Sequence, residues 1–251
     1  MVFTRNAAGE LVSEENHGGR FEYGYDALDN LSSTRFPDGR ELVALRYGTG
    51  HLLEMQLRHG GATHTLAAYG RDRLHREISR SQGVLSQETH YDTAGRITQR
   101  KVLDARRELV FERRYRRDRT DQIVQQIHTD ATPATPGEKY SQYLWGYDAA
   151  GQVTKAIEPQ RETPSFRLAG VTASGRAERQ GAGLLRSVRL YRGSYEPLGR
   201  VNRVFENCEI YWYHTELNRL PERVTDADGL TVWCGQFSTW GKAERELSVS
   251  Q

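Results

Sequence analysis

The stretch Tyr91-Asp92-Thr93-Ala94-Gly95-Arg96-Ile97-Thr98-Gln99-Arg100-Lys101-Val102 holds an aromatic, an Asp-x-x-Gly turn and a run of β-branched residues set between polar ones. An Asp side chain bonds backbone amides in a turn, and glycine takes positive φ without strain. The chain is therefore predicted to reverse at 92–95 and continue as a strand. Tyr25-Asp26-Ala27-Leu28-Asp29-Asn30-Leu31 and Tyr147-Asp148-Ala149-Ala150-Gly151-Gln152-Val153 repeat the pattern, Tyr-Asp-x-x-Gly/Asp-polar-aliphatic. In such a unit the Tyr ring is expected to lie across the neighbouring hairpin.

Working outward, weaker copies stand at Tyr47, Tyr69, Tyr115 and Tyr195, the last as Tyr195-Glu196-Pro197-Leu198-Gly199-Arg200-Val201. The anchors at 25, 47, 69, 91 and 115 are separated by steps of 22, 22, 22 and 24 residues. A helical hairpin repeat needs about 33 residues, whereas two strands of about 6 to 8 residues with two turns fit this step. Gln122-Ile123-Val124-Gln125-Gln126-Ile127 carries the same strand pattern. Each unit reads as turn, strand, turn, strand, and stacked units share a continuous sheet that one hairpin alone could not sustain. The fold class expected is all-β, a repetitive β-hairpin sheet.

The regularity fails twice. Thr129-Asp130-Ala131-Thr132-Pro133-Ala134-Thr135-Pro136-Gly137 stretches the step from Tyr115 to Tyr147 to 32 residues and reads as a longer loop. Pro159 to Arg186 carries Gly170, Gly175, Gly181 and Gly183, and Tyr147 to Tyr195 spans 48 residues, about two repeats. The organisation expected is a hairpin array over 1–157, a degenerate repeat with a flexible loop over 158–190, and a terminal unit over 191–251.

Composition agrees. Lys+Arg total 35 against 33 Asp+Glu, and a net charge of +2 gives no mandate for nucleic acid or an anionic membrane. Hydrophobic residues make up 37%, low for a thick core, yet aromatics reach 10% with 13 Tyr and 24 Gly, which suits a thin sheet with many turns. No apolar run of about 18 residues exists, and Met1-Val2-Phe3-Thr4-Arg5-Asn6 lacks the start of an export signal. Cys208 and Cys234 form no CxxC pair, and whether they bond to each other stays open.

The tyrosine anchors resemble the YD repeats of Rhs proteins, bacterial polymorphic toxins often delivered by type VI secretion, and of related insecticidal toxin complexes. Arg5-Asn6-Ala7-Ala8-Gly9-Glu10-Leu11 looks like one more copy with Arg in the Tyr place. Tyr211 to Trp233, continuing to Trp240-Gly241-Lys242, is similar to the Rhs motif that precedes the family's core. The residues that carry this likeness are His214, Pro221, Thr225, Asp226, Gly229, Trp233, Trp240 and Gly241 within 211–242. Glu216 stands where the family has Asp and Arg219 where it has Gly, so the turn after His214 is expected to be altered. The resemblance implies an open arc of a spiral β-shell that encloses a toxin. Its partners would be the rest of the shell, the enclosed toxin and type VI spike proteins reached through other regions. It also implies residence in the bacterial cytoplasm before export, and a chain cut from a longer gene, since Gln251 precedes any core or Asp-Pro cleavage motif.

Candidate chemistry is sparse. His214-x-Glu216 has the His-x-Glu of zinc deaminases without the Pro-Cys-x-x-Cys that completes such a site, so it reads as strand or turn. Gly170 to Gly183 lacks the Gly-Lys-Ser/Thr of a phosphate loop. Arg113-Arg114-Tyr115-Arg116-Arg117-Asp118-Arg119 could grip an acidic partner, but side chains alternate faces along a strand, which splits the charge. The acids Asp26, Asp92 and Asp148 occupy equivalent turn positions, which is turn chemistry. No catalytic residue, metal or cofactor is expected, and nucleic acid is not expected as a partner. Trp145, Trp212, Trp233 and Trp240 leave a carbohydrate-binding or adhesion module as the alternative.

Overall fold

A computed structural model describes residues 1–131, 140–157, 187–191, 197–204, 207–237 and 243–248. Among these, all regular structure is β-strand. Fourteen strands form one sheet: β1 (Val2–Arg5), β2 (Leu11–Asn16), β3 (Gly19–Tyr25), β4 (Leu31–Arg35), β5 (Glu41–Tyr47), β6 (His51–His59), β7 (Ala62–Arg71), β8 (Glu77–Gln82), β9 (Leu85–Tyr91), β10 (Ile97–Leu103), β11 (Leu109–Arg117), β12 (Ile123–Asp130), β13 (Tyr140–Tyr147) and β14 (Val153–Ile157). Six more form a second: β15 (Ser187–Tyr191), β16 (Pro197–Val204), β17 (Asn207–Thr215), β18 (Pro221–Thr225), β19 (Thr231–Phe237) and β20 (Ala243–Ser248). In both sheets the spatial order is the chain order, so every pairing is an antiparallel hairpin and no strand crosses over.

The sequence makes these hairpins through one recurrent turn. At Asp92 the backbone N–H donates to Arg96 O (2.9 Å) and Gly95 N–H donates to Asp92 O (3.0 Å). The Asp92 carboxylate accepts from Ala94 N and Arg96 N, both at 2.9 Å. The same pair of backbone bonds closes the turns that begin at Asn6, Asp26, Asp72, Asp104, Asp148, Glu216 and Asp226. In each, the fourth residue has positive φ. It is glycine at Gly9, Gly95, Gly151 and Gly229, and a side-chain-bearing residue at Asp29 (60°), His75 (60°), Arg107 (67°) and Arg219 (67°). The register then slips by one residue beside the turn, as at Gly24/Tyr25 and Gly146/Tyr147. A type I turn followed by a left-handed residue and a bulge has this form.

The two sheets pack face to face. Leu52, Met55, Leu57, Leu66, Ala67 and Tyr69 of β6 and β7 close on Leu198 and Val201 of β16, with Ile210 of β17 alongside. A smaller cluster of Leu85, Val102 and Phe111 lies further along the large sheet. The second sheet's turn at Asp226 reaches the far rim, where a Cβ at Gly229 would sit 2.9 Å from Leu85 and Val84. Among the described residues no helix is long and apolar enough to cross a membrane, which is silent on β-barrels.

Some sequence expectations are corrected. Tyr69 and Tyr115 are not turn anchors, because the residues directly before Asp72 and Asp118 are Arg71 and Arg117. Each Tyr lies two residues earlier, on the inward face, 4% and 6% exposed. Gly199 is not a turn glycine. It lies inside β16 opposite Trp212, where a Cβ would stand 2.5 Å from Tyr211 O, so close strand approach is what requires glycine there. The turn after His214 is not altered, since Glu216 and Arg219 make the ordinary pair of turn bonds (2.9 and 3.0 Å). The loop read from Thr129 starts later, because Thr129 and Asp130 belong to β12 and residues 132–139 lie outside the described ones. Tyr195, Trp240, Gly241 and nearly all of 158–190 also lie outside the described residues, as does the Cys208 side chain on which pairing with Cys234 turns.

Candidate functional site

The anchor residue of each hairpin has a definite task. Tyr25 OH donates to Leu11 O (2.9 Å), Tyr91 OH to Glu77 O (2.7 Å) and Tyr147 OH to Ile123 O (2.8 Å). Each acceptor is the first residue of the preceding strand, where the bulge interrupts the ladder, so the phenol satisfies a carbonyl the neighbour strand does not reach. Arginine performs the same task from the same place. Arg71 donates to Leu52 O through Nε and Nη2 (both 3.1 Å), and Arg117 Nη1 reaches Ile97 O at 3.5 Å. The signal for this was the Asp-x-x turn itself, since the residue before Asp26, Asp72, Asp92, Asp118 and Asp148 is the anchor, whether Tyr or Arg.

A second regularity runs along the rim. The fourth residue of one turn rests on the end of the turn before it. A Cβ at Gly95 would lie 3.4 Å from Arg76 Nη1, and one at Gly151 2.8 Å from Gln122 Nε2. At two of these positions a side chain makes a bond: Asp121 pairs with Arg96 at 3.2 Å, and the His75 ring stacks on His51 (4.2 Å, 8° interplanar) while bonding Tyr47 OH at 3.0 Å.

The densest chemistry lies between the sheets. Arg113, on the inward face of β11, meets Glu222 of β18 (Nε to Oε2, 2.8 Å), Glu216 (3.5 Å) and Asp130 of β12 (3.4 Å). Arg223 of β18 pairs with Asp130 at 2.7 Å. Arg223 and Arg113 also flank the Phe111 ring at 4.6 and 5.0 Å, and His214 meets its edge at 5.5 Å. Arg100 Nη1 donates to Thr215 O at 3.0 Å. The arginine run thus alternates as its strand periodicity requires: Arg114 and Arg116 face solvent, while Arg113 is spent on the joint.

Glu216 sits at the centre. An aspartate in its place would turn back on the two amides that follow, as Asp226 does on Asp228 N and Leu230 N. The longer side chain extends inward instead, and Asn218 takes over the Leu220 amide at 3.0 Å. Its carboxyl accepts from Gln126 Nε2 (2.8 Å) and Tyr115 OH (3.4 Å), and lies 3.4 Å from His128 Nε2. Burial, then the neighbouring Glu222, push its pKa up to about 8 against the opposing pull of Arg113. Burial likewise pushes Tyr115 up, and drives His214 down to about 3 beside Arg80 and Arg223. His214 bonds Thr225 Oγ1 through Nε2 at 3.0 Å and shares nothing with Glu216.

His128, Glu216 and Glu222 offer ligand atoms within 4.8 Å of one another, but the Arg113 guanidinium already stands against both carboxyls, in the place a cation would take. Beside the cluster opens a cavity of about 250 Å³ lined by Glu77, Tyr91, Arg100, Glu216 and Arg219 among others. At the apolar end of the joint, Met55 pairs with Ala67 and Gln56 with Thr65, so Leu66 is skipped by the ladder. Trp212 of β17, 3% exposed, donates its indole N–H to the Leu66 carbonyl at 2.7 Å.

The remaining motif residues scatter. Pro221 starts β18, Thr225 ends it fully buried, Asp226 and Gly229 build the next turn, and Trp233 lies on β19 with its ring over Gly235. The sequence singled out His214 and the Asp turns. It named Arg113 only within the arginine run and not as part of a joint, and it missed the roles of Asp130, Glu222 and Arg223, whose only signal was charge placed on the inward face of a strand.

A family model described as RHS protein matches residues 210–246, and one described as RHS Repeat matches residues 5–41, which span this joint's motif and the first turns. Both segments therefore carry Rhs-like sequence. Over 96 residues the chain is 42% identical to the double-stranded DNA deaminase toxin A of Burkholderia cenocepacia (strain H111), covering 38% of the chain and 6% of that relative. Among solved structures it is similar to the Photorhabdus luminescens Tc holotoxin pore (TM-score 0.57, 10% identity, 91% of this chain and 18% of that one). It is also similar to TcdB2–TccC3 without its hypervariable C-terminal region (TM-score 0.59, 11% identity, 92% and 18%). The chain shares their all-β hairpin fold and spans less than a fifth of their length.

Proposed function

We propose that this Rhs chain is non-catalytic wall: one arc of a β-shell that encloses a toxin domain carried by the same protein, for delivery into competing bacteria. The observation that carries this reading is where the polar side chains go. The Asp residues hold turn amides, the Tyr and Arg anchors cap strand carbonyls, and the buried acids and bases join the two sheets. The named Tc toxins share the fold, and the named deaminase toxin shares sequence over part of the chain. In this reading the chain's partners are the rest of the shell and the enclosed toxin, and type VI spike proteins engage other regions. The protein waits in the bacterial cytoplasm until export. The motif residues His214, Pro221, Thr225, Asp226, Gly229, Trp233, Trp240 and Gly241 serve the wall.

The test is to sequence the DNA on both sides of the reading frame and express the whole product. A protease-resistant C-terminal domain that becomes digestible when Trp212→Ala opens the joint supports a container. A freely digestible C-terminal domain in the native protein refutes one. Glycan binding, the other reading, loses ground because Trp212 is spent on the joint and Trp233 on its own strand. Retention of the native chain on a glycan column, abolished by Trp145→Ala, would revive it.

A further inference from the structure

Glu216 joins elements that are far apart in sequence, and it does so from a turn that would fold equally well with aspartate. We infer that Glu216 is a proton-operated latch between the two sheets: as a neutral acid it fastens the second sheet to β11 and β12, and when it ionises the joint slackens.

The geometry supplies the argument. The groups facing Glu216 are Arg113 and Tyr115 from β11, Gln126, His128 and Asp130 from β12, Arg100 from β10, Glu77 from β8 across the cavity, Arg219 from its own turn, and Glu222 and Arg223 from β18. Within the joint Arg223 meets Asp130 at 2.7 Å, which leaves Arg113 to serve both Glu222 at 2.8 Å and Glu216 at 3.5 Å. A second carboxylate within 4.8 Å of Glu222 therefore divides that one guanidinium with it and takes the longer contact. Held as an acid it fits the cluster; as an anion it competes with Glu222 for a shared cation at a site 15% exposed. The direction follows from linkage, because a carboxyl that keeps its proton in the closed joint and gives it up in the open one favours closure at low pH. The latch is thus tight in mild acid and loosens as pH rises.

The test is hydrogen exchange of the full 251-residue chain, read on peptides covering 97–117 and 217–237, with 19–47 as internal reference for the chemical pH effect. Opening of the joint should rise by up to about tenfold per pH unit between about pH 6.5 and 8 in the native chain, above the range in which His214 opposes it, and lose that dependence in Glu216→Gln. The same pH dependence in both proteins would overturn the proposal. Should Glu216→Gln fail to fold, the native chain labelled with ¹³C at glutamate carboxyls decides. One carboxyl titrating above about pH 6.5 and lost in Glu216→Asp upholds the latch, and all titrating below about pH 5.5 removes it.

Discussion

At the scale of single residues, the repeat separates into two jobs that can be tested apart. The Asp of each turn holds two amides, and Asp92→Ala should cost about 1–3 kcal/mol, read as a lower midpoint in urea. The anchor caps one carbonyl: Tyr91→Phe, which leaves Glu77 O unmet, should cost about 1 kcal/mol, while Tyr91→Arg should recover most of it, as Arg71 does on Leu52. The fourth turn position is where side chains are strained. Arg219→Gly, relieving a φ of 67°, should raise the melting temperature, whereas Gly95→Val should lower it. The turns were legible from sequence because Asp-x-x-Gly is a local code. The anchors were only partly so. Tyr69 and Tyr115 look like Tyr25 in spacing, yet the bulge beside each turn makes the residue before Asp the one that matters, and spacing alone does not reveal a bulge.

At the scale of elements, the hairpin and the joint answer to different physics. Hairpins follow from patterns within about twenty residues, which is why strand and turn could be read in order. The joint follows from inward side chains of β10 to β12 meeting β17 and β18. Nothing local in Arg113 announces Glu222, so the polar cluster was not legible, and Glu216 could be noticed only as a departure from Asp. Trp212→Phe tests the apolar end. It leaves the skipped Leu66 carbonyl without a donor and should cost about 1–3 kcal/mol, whereas the same change at Trp233, on the outermost hairpin, should cost less. Two opposed shifts shape stability against pH. The acid of Glu216 favours the closed joint, a contribution full below about pH 4.5 and lost as pH rises to about 8. His214, held neutral, contributes above about pH 6.5 and loses that as pH falls toward about 3. Their slopes cancel in between, so the melting temperature should be nearly flat from about pH 4.5 to 6.5 and decline on both sides.

At the scale of the whole molecule, β1 and β14 stand at the ends of the large sheet's order and β15 and β20 at the ends of the small one. Strands in that position accept another strand. Phe3, 54% exposed on β1, should make the isolated chain self-associate in sedimentation, and Phe3→Lys should reduce it. A sharply melting monomer would argue against an open wall.

The spatial order of strands has a consequence for how the protein is made. Because each strand pairs with the one just synthesised, the ribbon can be laid down on the ribosome from the N-terminus, one hairpin at a time. Its fastening waits, since Trp212 meets Leu66 across 146 residues and Glu222 meets Arg113 across 109. Such a chain has an interval during synthesis when a wall exists but nothing is yet shut.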